Sequence, residues 1–194
     1  APDGFAQQPP PGVVFGARTL DPAEVDGFIA INADGSVTIF SGLVDLGQGL
    51  RIAIPQMAAE ELAVDLARVT LIEGDTGLCP NQGATAGSRG IAVGGVQIRR
   101  AAATARAALI GLAAEKLGRP VADLEALNGE VRVKGGGAAV RYGELVGGRK
   151  LSLKVDAKAP LKDPATYSIV GKPLPRPDIP GKVTGHHVFM HDFK

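Results

Sequence analysis

The sequence has no tryptophan, few aromatic residues of any kind (4%), one cysteine and no excess of either charge. A single Cys79 excludes an internal disulfide and any cysteine-built zinc or iron–sulfur site. With 21 Lys and Arg against 20 Asp and Glu, no uniform field is available to hold nucleic acid or an anionic membrane. No apolar run approaches the roughly 18 residues that would cross a bilayer, and Ala1 to Gly12 has neither the basic start nor the apolar middle of a signal peptide. The sequence reads as that of a soluble chain.

What is abundant is backbone punctuation, with 27 Gly and 14 Pro among 194 residues. Large apolar anchors are scarce, and burial must offset about 1–2 kcal/mol of backbone entropy per ordered residue. The expectation is a piece that folds against something larger. Residues 1–26 carry a Gln-Gln-Pro-Pro-Pro-Gly run and suit an extended arm. Phe28 to Ile31, an Asn-Ala-Asp-Gly turn and Val37 to Phe40 predict a β-hairpin.

Leu50 to Ala63 has helical spacing, with Pro55 tolerable because it lies near the first turns, and Val69 to Glu73 predicts a strand. Leu78 to Gly95 has no period and is long for a structureless connection, which marks it as a place to look for a site. Val96 to Leu117, alanine-rich and closed by Gly118, predicts the longest helix, approached closely on several sides. A second hairpin follows over Glu130 to Tyr142, with a short helix from Tyr142 to Val146. Residues 149–180 read as a linker crossing a surface, and His186 to Phe193 as a strand. The fold class expected is α+β, with β-hairpins and packed helices.

Two glycine clusters carry the chemistry. Gly47-Gln48-Gly49 lies between a strand and a helix, where unpaired backbone N–H groups and the helix dipole favour an anion. It is not a dinucleotide fingerprint, since the third glycine position falls on Ile52, and a tight structural turn is the alternative. Gly83-Ala84-Thr85-Ala86-Gly87-Ser88-Arg89-Gly90 fits neither a P-loop nor a nucleophile elbow. What remains there is a pliant backbone with two hydroxyls and a guanidinium, suited to a polyanion or simply to solvent.

His186, His187 and His191 share no coordination sphere in strand geometry, and Cys79 reads as a small packing residue.

Gly42 to Leu50, Ala59-Glu60-Glu61-Leu62, Glu73-Gly74-Asp75-Thr76 and Gly83 to Arg89, in this order, resemble the molybdopterin-binding subunits of the xanthine oxidase and aldehyde oxidase family. The nearest likeness is to its isoquinoline 1-oxidoreductase and periplasmic aldehyde dehydrogenase branch. Val170 to Arg176 with Gly181 to Gly185 is similar to the lead into the family's α/β hammerhead. The resemblance implies a molybdenum-binding domain segment over residues 27–148, and over 181–194 the first strand of a hammerhead-like region. It implies that Gly47, Gln48, Gly49, Thr85, Ala86, Gly87, Ser88 and Arg89 bind molybdopterin cytosine dinucleotide with molybdenum.

The implied activity is oxidation of aldehydes or aromatic N-heterocycles with oxygen from water. The family's Gly-Val-Gly-Glu motif, which bears its catalytic glutamate, does not occur in this sequence, so this segment is expected to be inactive alone. The rest of the molybdopterin-binding subunit as a separate chain, an iron–sulfur subunit carrying [2Fe-2S] clusters and a cytochrome c subunit are the implied partners. The periplasm is the implied location. Two competing readings remain at this point: a non-catalytic assembly module, and a generic phosphate- or nucleotide-binding domain.

Overall fold

The computed structural model describes residues 18–193. Most of the proline-rich arm therefore lies outside the described residues. Two three-stranded sheets and two long helices form the framework. Strands β1 (Ile29–Ile31) and β2 (Val37–Ser41) make the expected hairpin, with Ile29 opposite Ile39 and Ile31 opposite Val37. A single helical turn, α1 (Val25–Phe28), precedes β1 and buries Val25 and Phe28.

Helix α2 (Leu50–Leu62) carries the chain across the sheet, so that β3 (Val69–Glu73) runs parallel to β2 with Val37 beside Val69 and Ser41 beside Glu73. Parallel neighbours need such a crossover, and it makes the first sheet a mixed one instead of a lone hairpin. Leu50, Ile54, Ala58, Ala59 and Leu62 of α2 are buried.

Helix α3 (Val96–Leu117) has the boundaries that the sequence suggests, but a π-helical turn over Gly90–Gly95 extends it backwards into the expected loop. Glycine permits that entry because neighbours sit close. A methyl group on Gly94 would lie 2.3 Å from Leu43 Cδ1, and one on Gly90 2.8 Å from Leu50 Cδ2. Ala101, Ala102, Ala103 and Ala105 are fully buried, covered by elements of this same chain, with α1, α2 and β1 packing on α3. As the alanine content suggests, small residues let backbones approach closely here, while Val96 and Leu112 of the same helix stay exposed.

The second sheet contains β4 (Leu124–Leu127), β5 (Glu130–Val133) and β6 (Ala139–Arg141) in sequence order, one strand more than the expected hairpin. Helix α4 (Tyr142–Val146) follows, and the buried Tyr142 hydroxyl donates to the Leu62 carbonyl at 2.6 Å, tying this sheet to the end of α2.

Residues 149–178 then cross the surface as a strap. Two buried carboxylates on α2 fasten it. Glu60 accepts the Ser168, Ile169 and Val170 N–H groups at 2.9, 2.6 and 3.1 Å and the Lys162 ammonium at 2.6 Å. Glu61 accepts the Lys162 N–H and pairs with Arg99 and Arg106 at 2.8 and 2.9 Å.

The suggested strand over His186 to Phe193 does not form. Helix α5 (Ile179–Val183) is followed by coil and a 3-10 turn over Met190–Asp192. Among the described residues the stretch has no neighbouring strand to complete a ladder, and the His187 and His191 rings instead flank the Phe189 ring, with centroids 4.6 and 5.9 Å away.

Candidate functional site

The C-terminal end of β2 leads into residues 42–49 and the end of β3 into residues 74–90, so both glycine clusters emerge at the same edge of the first sheet. Gln82 ties them together. Its buried carboxamide oxygen accepts the Gly42 N–H at 2.9 Å, while its amide nitrogen donates to Gly94 O and Gln97 Oε1 at 3.3 and 2.8 Å. Thr85 Oγ1 accepts the Val44 N–H at 3.1 Å, a second bridge between the loops. Gly42 has no room for a side chain, since a Cβ would sit 2.1 Å from the Pro80 carbonyl oxygen.

A concavity of about 470 Å³ lies between the loops, lined by Gln48, Gly49, Leu50 and Ala53 on one side and Thr85, Ala86, Gly87, Ser88 and Arg89 on the other, with Leu46 and Ile91 at its rim. Of the eight residues that the sequence singles out, seven line it; Gly47 does not. Gly47 and Gly49 adopt φ of 109° and 91°, Gly87 and Ser88 both 57°, and a Cβ on Gly47, Gly49 or Gly87 would meet nothing within 4 Å. Backbone conformation favours glycine at positions 47 and 49, whereas Ser88 shows that the φ of Gly87 admits a side chain; the space beside all three glycines is open.

The turn has its own internal anion. Asp45 Oδ1 accepts the Gly47 and Gly49 N–H groups at 2.7 and 3.3 Å, and Oδ2 accepts the Arg51 N–H at 2.9 Å, so a carboxylate of this chain caps α2. Burial works to raise the Asp45 pKa. The three N–H groups and the nearby Arg176 charge outweigh it and hold the carboxyl below its ordinary value. Of the donors that the sequence reading offers to a phosphate, the Gly47 and Gly49 N–H groups are thus already engaged, and the Gln48 N–H is not. Glu73 supports the arrangement by accepting the Asp45 N–H at 3.0 Å and the Arg51 Nε–H at 2.6 Å.

Gln48 also folds onto its own loop, accepting from Leu46 N–H at 2.5 Å and donating to Val44 O at 3.1 Å. On the opposite loop Arg89 is exposed; its N–H donates to the Ala86 carbonyl at 3.2 Å, while its guanidinium makes no hydrogen bond or ion pair among the described residues. The two sides therefore differ in charge: a carboxylate-capped turn faces a loop with a free guanidinium.

Asp45, Glu73, Gln82 and Arg176 are the supporting residues that sequence reasoning missed. Asp45 had a readable signal, an acidic residue just ahead of a helix start. The others act across long sequence separations that leave no local mark. Cys79 is buried beside Phe40 and Ile72, and burial pushes its thiol pKa up, in keeping with a packing role. A second concavity of about 440 Å³ is lined by Gly42 and Gln82 together with Leu20, Gly74, Asp75, Thr76, Cys79, Pro80 and Asn81.

Comparison with known proteins assigns the fold to a family. Residues 11–184 match the molybdopterin cofactor-binding domain. The chain is 42% identical to a nicotinate dehydrogenase subunit from Pseudomonas putida over 91% of its own length, covering 15% of that protein. It is 31% identical to the beta subunit of isoquinoline 1-oxidoreductase from Brevundimonas diminuta over 85% of its length, covering 26% of that protein. Among solved structures, CO dehydrogenase from Oligotropha carboxidovorans superposes with a TM-score of 0.55 at 31% identity, over 61% of this chain and 15% of that one. Quinoline 2-oxidoreductase from Pseudomonas putida 86 gives 0.51 at 30% identity over the same shares. The chain spans about a quarter or less of the length of these relatives. Among the described residues no helix is long and apolar enough to cross a membrane. By the match along most of its length, this chain belongs to the molybdopterin cofactor-binding domain family, that of the xanthine oxidase-type subunits it resembles.

Proposed function

We propose that the concavity between residues 45–49 and 85–91 holds the molybdopterin cofactor in its cytosine dinucleotide form. The observation that carries this reading is the charge asymmetry of two loops brought face to face, with open space beside Gly49 and Gly87. Because Asp45 already fills the donors at the start of α2, a phosphate is disfavoured there, and the Gly47–Gly49 turn takes the uncharged pterin. Ser88 and Arg89 take the pyrophosphate: small residues admit it to the backbone, and the exposed guanidinium supplies a planar, permanently charged fork.

When bound, the cofactor supplies the redox chemistry, insertion of oxygen from water into a C–H bond. The chain's own residues bind and orient it. Gly87, without a side chain, leaves room on the substrate side, and Gln48 offers a side chain that can both donate and accept. The substrate class we infer is aldehydes or aromatic N-heterocycles. Residues beyond this segment complete the site, and a partner chain with [2Fe-2S] clusters, with a cytochrome c subunit, removes the electrons in the periplasm; these points rest on the family resemblance of the sequence motifs, the relatives themselves being named only as subunits.

The test is the composition of the purified complex. Arg89→Ala is expected to deplete molybdenum and cytidine nucleotide together, and Arg89→Lys to restore only part, because a point charge cannot reproduce the fork. Full occupancy with normal turnover in Arg89→Ala would assign this arginine to the surface.

A further inference from the structure

Arg176 reaches back across 129 residues of sequence to donate from Nη1 to the Gly47 carbonyl at 2.7 Å. Its other two donors are held by Asp178, Nε to Oδ1 at 3.0 Å and Nη2 to Oδ2 at 2.6 Å, and Lys182 braces the same carboxylate at 2.7 Å. The Asp178 side chain is 9% exposed, so the fork is shielded as well as bidentate. The strap carrying Arg176 is fixed just upstream, where Gln56 Nε2 donates to Ile169 O and Lys172 O, both at 3.0 Å. Gln56 lies on α2, the helix that begins at the glycine turn.

This contact bears on one peptide unit. The Gly47 carbonyl and the Gln48 N–H belong to the same planar trans peptide, so they point in opposite directions. Gly47 has φ of 109° and open space around its Cα, so its own sterics leave that peptide free to rotate. Among the described residues the Gln48 N–H has no hydrogen-bond partner, in contrast to the Leu46, Gly47, Gly49 and Arg51 N–H groups, all of which are engaged by side chains of the same loop. Gln48 lines the concavity and Gly47 does not.

We propose that Arg176 is a positioning residue for the cofactor turn: by holding the Gly47 carbonyl on the strap side, it presents the Gln48 N–H as a free, pre-oriented donor to the bound cofactor. This rests on the proposed cofactor site between the two loops. Arg176 does not touch the cofactor. It fixes a donor whose alternative orientation would aim a carbonyl oxygen at the same place.

The experiment uses the complete complex carrying Arg176→Ala, Arg176→Lys, Asp178→Asn or, as reference, Arg89→Ala. Amide exchange over residues 44–52 is measured in cofactor-depleted protein, and molybdenum and pterin content in protein as purified. Arg176→Ala is expected to speed exchange over 44–52 about tenfold while leaving α3 protected, and to lower molybdenum content severalfold. Arg176→Lys restores part of both, since an ammonium can still reach one carbonyl. Asp178→Asn, which keeps the guanidinium but weakens its orientation, shifts both readouts in the same direction and serves if Arg176→Ala does not assemble. Arg89→Ala should deplete molybdenum without altering exchange over 44–52. Parental exchange and molybdenum in the Arg176 and Asp178 variants, with depletion in Arg89→Ala, overturns the role of Arg176 alone. Full molybdenum in all of them overturns the cofactor site itself.

Discussion

Replacing Glu60 by alanine should release the strap before it unfolds the domain. The Glu60 side chain is 1% exposed and its two oxygens receive four hydrogen bonds, three from consecutive backbone N–H groups and one from the Lys162 ammonium. Alanine would orphan the three N–H groups and leave that ammonium unpaired, a loss of about 3–5 kcal/mol by analogy with other broken buried pairs. Glutamine keeps one acceptor but downgrades charge-assisted bonds to neutral ones, each weaker by about 1 kcal/mol, giving roughly 3 kcal/mol once non-additivity is allowed for. Since 1.36 kcal/mol is tenfold, about 3 kcal/mol multiplies the open population of the strap roughly a hundredfold. Trypsin reports that opening directly, because Lys158 and Lys162 lie on the strap and neither precedes a proline.

Cleavage at these lysines in Glu60→Gln should rise by about two orders of magnitude at neutral pH while the helices stay protected. Burial alone would raise the Glu60 pKa, but Lys162 and the N–H groups of Ile169, Val170 and Ser168 hold it below its usual value. A depressed carboxyl contributes stability that is present above the unfolded value, about 4.3, and is lost as pH falls through the folded value. In acid, amide exchange of Ser168, Ile169 and Val170 in parent protein should therefore approach that in Glu60→Gln, and the variant should lose this part of its pH dependence. Equal cleavage of parent and Glu60→Ala at pH 7 would refute the latch.

Other substitutions probe the framework and the turn. Gly42→Ala should destabilise by at least about 1–3 kcal/mol, seen in thermal melts, because the new methyl meets the Pro80 carbonyl at 2.1 Å and backbone cannot step aside as a rotamer can. Tyr142→Phe leaves the Leu62 carbonyl without its buried donor and should cost about 1–2 kcal/mol in the same assay. Asp45→Ala removes the carboxylate that caps α2 and should cost about 1 kcal/mol, with loosened amides from Gly47 to Arg51 by hydrogen exchange. Gln48→Ala should lower turnover of the assembled enzyme more than its melting temperature, since the side chain is exposed and bonds only within its own loop.

Local periodicity made the long elements readable. Leu50 to Leu62 and Val96 to Leu117 appear where their apolar spacing and stop signals put them, and the Asp34-Gly35 turn marks the first hairpin. Strand β4 went unread: Asn128-Gly129 turns at φ of 51° and 80°, the primed-turn geometry that this dipeptide favours, but Leu124-Glu125-Ala126-Leu127 lacks β-branched residues and reads as helix or loop.

Alanine was informative in a different way. Low side-chain volume along α3 suggested close neighbours on several sides, and α1, α2 and β1 supply them. The two glycine loops were visible as motifs, yet their meeting depends on Gln82 and Thr85 bridging to Gly42 and Val44 across some 40 residues. Polar latches such as Glu60 and Arg176 have no sequence signature, because their partners are backbone groups whose positions exist only in the fold.

The most direct measurement is molybdenum anomalous scattering from crystals of the intact complex. The account predicts a molybdenum peak in the concavity bounded by Gln48 and Gly87, with phosphate density continuing toward Ser88 and Arg89. A peak elsewhere, with this concavity open to solvent or filled by protein side chains, would contradict it.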